Sequence, residues 1–163
     1  MELTSDLPSE LVPVAWLIGT WAGAGVGGYP TTPEFRFGQE ITFSHDGRPF
    51  LSYWSRSWLL DDEGNPLRPL ATESGYWRPQ TNGQLEVIIA QPVGYAEIYV
   101  GTASNGKVEL TTDVVARTVT AKEYNAGSRL YGLVEGDLLW AYDMAAVGQP
   151  MQAHVSARLK KIA

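Results

Sequence analysis

Few side chains here are suited to demanding chemistry. The 163 residues hold two histidines, His45 and His154, and no cysteine. The missing cysteine removes disulfides, thiolate nucleophiles and cysteine-held zinc or iron–sulfur clusters together. No Gly-x-Ser-x-Gly elbow, His-Glu-x-x-His pair or Gly-x-x-x-x-Gly-Lys phosphate loop occurs, so the common hydrolase and nucleotide chemistries lack their parts. Gly23-Ala-Gly25-Val-Gly-Gly28 has the look of a nucleotide loop, but no strand–helix–strand unit follows it. Asp61-Asp62-Glu63 falls in a turn and reads as solvated. What remains is imidazole. His45, in Ser44-His45-Asp46-Gly47, sits at a hairpin turn and reads as a structural residue. His154 lies inside the last segment, 149–161. Taken as a strand, that segment sends Ala153, Val155, Ala157 and Leu159 one way and Gln152, His154, Ser156 and Arg158 the other. A neutral imidazole is a good axial ligand for a metal or a haem iron. It is equally an ordinary hydrogen-bonded barrel residue, and these residues alone leave both readings open.

The elements that must position this histidine are short and β-like. Seventeen glycines and ten prolines interrupt the apolar pattern every several residues, and six Trp and eight Tyr suit a pleated, half-buried surface. Residues 1–10 read as a loose arm. Leu11 to Ile18 reads as a single helical turn that plugs one end of the fold, with Pro13 near its start. From Gly19 to Gly25 the glycines alternate beyond Trp21, leaving one strand face open to close approach by a backbone or a flat ligand. Val26 to Phe37 reads as a long loop, and such loops tend to be functional. Strands are expected at Gln39–Ser44, Pro49–Leu60, Leu70–Arg78, Gln84–Gln91, Tyr95–Thr102 and Lys107–Val115. Further strands are expected at Thr118–Tyr124, Arg129–Val134 and Asp137–Met144, then the one with His154. Turns such as Asp46-Gly47, Asn82-Gly83, Asn105-Gly106 and Glu135-Gly136 separate them.

About ten short strands in sequence order, joined by hairpins and with almost no helix, predict an all-β fold. The expected architecture is a single-domain antiparallel up-and-down β-barrel spanning 1–163, of the calycin or fatty-acid-binding-protein kind. Such a barrel encloses room for one ligand. The net charge of −6, with no basic stripe, argues against nucleic acid. No signal peptide and no apolar run of membrane-spanning length is evident, so a cytoplasmic protein with no membrane association is expected.

Several segments together resemble the nitrobindins. Gly19-Thr-Trp21-Ala-Gly23-Ala-Gly25 matches their Gly-x-Trp-x-Gly-x-Gly start. Tyr29-Pro-Thr31, Phe43-Ser-His45-Asp-Gly-Arg-Pro49, Glu73-Ser-Gly-Tyr76, Thr120-Ala-Lys-Glu123 and Gln149-Pro-Met-Gln-Ala-His154 follow in the family's order. The first motif is shared with lipocalins and fatty-acid-binding proteins; the full set, from about Leu11 to Leu159, is specific. The resemblance implies a ten-stranded barrel holding one ferric haem b, with His154 as proximal iron ligand and therefore the catalytic and metal-binding residue. It implies reversible binding of nitric oxide and isomerisation of peroxynitrite to nitrate, small ligands that an open ferric position admits. Some relatives without the axial histidine are named nitrobindin-like only, and this chain keeps it. Thr31 and Lys122, within the resembling segments, are expected at the haem edge or a propionate; Met144 is expected at the pocket wall. A homodimer is a family tendency. One departure stands out: several relatives carry a distal histidine where this chain has Ala71.

Two other readings stay beside this one. A carrier of a fatty acid or similar molecule would need an interior arginine and tyrosine to clamp a carboxylate, from Arg56 or Arg129 with Tyr53 or Tyr131. A haem protein that senses or carries nitric oxide would look the same in sequence as the isomerase.

Overall fold

In a computed structural model, which describes residues 6–163, ten strands follow a 3₁₀ helix at Ser9–Leu17. They are β1 (Gly19–Tyr29), β2 (Thr32–Ser44), β3 (Leu51–Leu60), β4 (Pro66–Pro79), β5 (Gln84–Gln91), β6 (Tyr95–Ser104), β7 (Lys107–Arg117), β8 (Tyr124–Val134), β9 (Asp137–Ala146) and β10 (Gln152–Lys161). Each pairs antiparallel with its sequence neighbours, and β1 pairs with β10, from Trp21↔Lys161 to Gly27↔Val155, which closes the barrel. Closure removes every free sheet edge.

Alternation decides what faces inward. Leu85, Val87 and Ile89 of β5 are buried, as are Leu138, Trp140 and Tyr142 of β9, while the residues between them are more exposed. The 3₁₀ helix seals one end. Leu11, Val14 and Leu17 recur every third residue, the period of that helix, and all three are fully buried. Trp16 Nε1 ties the plug to the wall through Ser104 O at 3.2 Å, and Trp21 Nε1 donates to Leu17 O at 2.8 Å. Burial of each such apolar side chain contributes about 1.5–3 kcal/mol. In an up-and-down barrel alternate turns share an end, so the β1–β2, β3–β4, β5–β6, β7–β8 and β9–β10 connections surround the opposite, open mouth.

Four expectations are corrected. The stretch Val26–Phe37 is a hairpin rather than a long loop: only Pro30 and Thr31 turn, and both strands run on either side. Pro33, which has no N–H to give, falls where the β1–β2 register shifts between Gly27 and Tyr29, so the ladder loses little. The close approach expected beside the glycines is made at Gly23 and Gly25 by the β10 backbone, Arg158 O and Ser156 O, with the Phe37 ring also against Gly25, and at Gly27 by the Phe35 ring. Thr118–Tyr124 is no strand. Residues 118–123 form a connection tied by Thr118 N–H to Gly94 O at 2.9 Å, Val119 is fully exposed, and β8 begins at Tyr124, whose ring is buried. Asp46-Gly47 is part of a six-residue link, 45–50, rather than a two-residue turn. Of the expected N-terminal arm, Ser9 and Glu10 already belong to the 3₁₀ helix, and residues 1–5 lie outside the described residues.

Candidate haem site

The site depends on one extra residue. Strand β10 pairs with β9 as Gln152↔Met144 and Ala153↔Asp143, then resumes as Val155↔Tyr142. Two steps along β10 thus match one along β9, and His154 is the unpaired residue of a β-bulge. Strict alternation with buried Ala157 and Leu159 would send His154 outward. The bulge turns it to the barrel mouth instead, where it lines two cavities.

The outer cavity is an open cleft of about 1040 Å³ running over the rim. Backbone from Val26 to Pro30, the β3 end at Leu59–Asp62, and the Gln152–Ser156 stretch of β10 form its walls. The inner one, about 270 Å³, reaches into the barrel past Gln39, Ser55, Ala71, Glu73, Trp140 and Tyr142. Thr32, Phe35, His154 and Val155 line both.

His154 is held from several sides. Its Nδ1 lies 3.1 Å from Gly28 O, and because a carbonyl only accepts, Nδ1 carries the proton. Nε2 then holds the lone pair, and it has no hydrogen-bond partner among the described residues. Tyr29, Tyr142 and Phe35 meet the imidazole edge-on, with centroids 5.8, 5.8 and 6.4 Å away. Burial pushes the His154 pKa below its ordinary value; the bond to Gly28 O opposes this and the charge of Arg129 adds to it. The ring is therefore neutral near neutral pH, as a metal ligand must be. Tyr29 is itself pinned, donating to Met144 O at 2.9 Å and accepting from Ala146 N–H at 3.1 Å.

Behind Tyr142 lies a buried polar cluster. Arg129 donates through both terminal nitrogens to Glu73, each at 2.7 Å, and through Nε to Tyr99 Oη at 2.9 Å. Its guanidinium stacks over the Tyr142 ring at 4.5 Å. Tyr53 donates to Glu73 at 2.8 Å. Glu97, fully buried, accepts from Tyr99, from Tyr124 at 2.6 Å and from Gln91 Nε2 at 2.5 Å, and lies 3.7 Å from Arg129. Burial raises the Glu73 pKa, but the charge of Arg129 and its hydrogen bonds outweigh this and leave it below the usual value.

The fate of the other expected residues is mixed. Thr31 is exposed in the rim turn between Pro30 and Thr32, both of which line the cleft. Lys122 lies in the β7–β8 connection, where its carbonyl accepts from Tyr95 Oη at 2.9 Å, and it lines neither cavity. Met144 packs against the core beside Tyr29 and also lines neither. Ala71 does line the inner pocket. His45 stays a turn residue, its Nδ1 accepting Gly47 N–H at 3.2 Å. The carboxylate clamp of a fatty-acid carrier is already filled: Arg129 and Tyr53 do converge, but on the chain's own Glu73, with Tyr131 Oη accepting from Arg129 at 3.3 Å, while Arg56 is on the outside with Glu40. Sequence reasoning missed Tyr29, Phe35, Tyr142, Glu73 and Glu97. The two acids had a legible mark, since each stands in the inward phase of a strand otherwise filled by small, apolar or aromatic residues.

The residues fit a haem on two grounds. No group of three or more His, Cys, Asp or Glu among the described residues gathers to hold a bare metal ion, so an iron held by this one open imidazole would need a macrocycle to complete its coordination sphere. That imidazole also faces a cavity deep enough, with aromatic walls, for a flat apolar group. Fold and site thus define a haem-type β-barrel. The chain belongs to the family described as "THAP4-like, heme-binding beta-barrel domain", whose profile matches residues 10–161. It is 53% identical over 158 residues to a protein of Nocardioides sp. named "Peroxynitrite isomerase", covering 97% of this chain and 96% of that one. It is 49% identical to a "Ferric nitrobindin-like protein" of Kineococcus radiotolerans, covering 99% and 98%. Its fold matches the crystal structure of Rv2717c from M. tuberculosis with a TM-score of 0.87 at 37% identity, covering 97% of this chain and all of that one.

Proposed function

We propose that this chain holds one ferric haem b through His154 Nε2, isomerises peroxynitrite to nitrate, and binds nitric oxide reversibly at the same position. The observation that carries the reading is the bulge, which brings a neutral imidazole with a free Nε2 to the wall of both cavities. The names of relatives at about half identity over most of their length support the reaction. When bound, the haem supplies an open ferric position at which the peroxynitrite anion is rearranged.

The chain's own residues do the rest. Gly28 O accepts a hydrogen bond from Nδ1–H, which makes Nε2 a stronger donor and favours the ferric state. Tyr29, Tyr142 and Phe35 fix the ring plane. Peroxynitrite and nitrate have the same atoms and the same charge, so no general acid is needed and none has to be found in the lining. Among the described residues lining the outer cleft, Arg36 is the one cation, against Glu34, Asp61, Asp62 and Asp143. We assign to Arg36 the propionate contact expected of Lys122, and to Thr31 a place at the haem edge. Stopped-flow decay of peroxynitrite with nitrate quantified tests the reaction. Hemin-loaded protein accelerates decay with nitrate as the product, and His154→Ala returns it to the uncatalysed rate; acceleration that survives His154→Ala contradicts the proposal.

A further inference from the structure

We propose that Gln91, tethered by buried Glu97, is the residue that hydrogen-bonds a small anion or gas on the side of the pocket opposite His154. This rests on the haem reading above and assigns the group that takes the place of an imidazole at Ala71. In the closed ring β1-β10-β9-β8-β7-β6-β5-β4-β3-β2, β5 lies five strands from β10 in either direction, so the two face each other across the barrel. Gln91 is the last residue of β5 and His154 stands near the start of β10, which puts both at the mouth end. Gln91 shares the inward phase of buried Leu85, Val87 and Ile89, and it lines the inner pocket together with His154 and Ala71.

Its amide is also oriented. The Glu97 carboxyl accepts Gln91 Nε2 at 2.5 Å, which fixes which end of the amide is nitrogen. Glu97 cannot move to follow it, being fully buried and held by the hydroxyls of Tyr99 and Tyr124. One N–H is thus spent on the tether, while the second N–H and Oε1 have no partner among the described residues. Of the other polar groups of the inner pocket, the Tyr142 hydroxyl has no hydrogen bond among the described residues but stands on β9, next to β10, on the histidine's own side, and the rest apart from Thr32 are engaged. Gln39 bonds Ser55 and Trp140, Ser57 bonds Ala71 O, and Glu73 bonds Arg129 and Tyr53. Thr32 is on β2, only two strands from β10, and so on the histidine's own side.

The test uses azide, an anionic ligand, on ferric hemin-loaded protein, with the Soret band recorded first for wild type, His154→Ala, Gln91→Leu and Glu97→Gln. Gln91→Leu keeps the wild-type Soret band and weakens azide by about tenfold or more, the usual size for a hydrogen bond to a charged group. Glu97→Gln, which keeps the shape but not the charge of the tether, weakens it by several-fold. Azide affinity within about twofold of wild type in Gln91→Leu overturns the assignment, and unchanged affinity in Glu97→Gln overturns the tether. Hemin binding indifferent to His154→Ala is the distinct result that overturns the haem reading, and this inference with it.

Discussion

Deleting Ala153 tests whether the bulge is what delivers the histidine. In the native register Gln152 opposes Met144, Ala153 opposes Asp143, His154 is unpaired and Val155 opposes Tyr142. Without Ala153 the outer pairs keep their partners, and His154 takes the place opposite Asp143 that exposed Ala153 now holds. A strand residue moved by one position points to the other face. The imidazole then loses its bond to Gly28 O, worth about 1 kcal/mol, and three edge-on ring contacts, each worth about 0.5–1.5 kcal/mol. Part of this is offset by returning a partly buried imidazole to water, so the apo-protein loses about 2–4 kcal/mol, inside the usual stability margin of about 5–15 kcal/mol. The assay is urea unfolding of the apo-protein beside hemin titration followed at the Soret band. The deletion variant folds, and its hemin affinity falls about as far as that of His154→Ala, beyond the roughly 10–100-fold typical of losing an outer-shell partner. Wild-type hemin affinity in a folded deletion variant refutes the argument.

Other consequences follow from the same geometry. Arg129→Met strands two buried carboxyl groups and costs about 3–5 kcal/mol in urea unfolding, much of it recovered by adding Glu73→Gln. Glu73 has a folded pKa below its unfolded one. Its contribution is therefore full above the unfolded value of roughly 4.3 and fades as pH falls through the folded value, and urea midpoints of wild type and Glu73→Gln converge in acid. Burial lowers the His154 pKa, so hemin uptake holds through neutral pH and declines only below the ordinary histidine range near 6.5; a decline already complete at pH 7 contradicts this. Ala71→His places an imidazole on the inner pocket and slows dissociation of nitric oxide from the hemin-loaded protein, read by flash or stopped-flow kinetics.

Much of the barrel is visible in the sequence because its strands obey alternation: β5, expected from Gln84 to Gln91, has those bounds in the structure. The stretches that mislead have local chemistry that tertiary contacts override. Gly-Gly, Tyr-Pro and Thr-Pro between Val26 and Phe37 look like loop punctuation, yet Gly27 makes room for Phe35, as Gly25 just before the stretch does for Phe37, and Pro33 falls at a register shift. Val119 carries a β-branched side chain with nothing to pack against. The direction of His154 is not readable at all, since nothing in Ala153-His154-Val155 marks a bulge and plain alternation gives the wrong face. The aromatic clamp requires β1, β2 and β9 to meet β10 at the mouth, a contact set that only closure of the ring creates.

The central claim is that His154 Nε2 is the axial ligand of a ferric haem, and an absorption spectrum of the hemin-titrated protein tests it most directly. The account predicts a saturable Soret band of ferric, single-histidine character in the wild type that His154→Ala abolishes and His45→Ala leaves unchanged. An identical band in His154→Ala would contradict it.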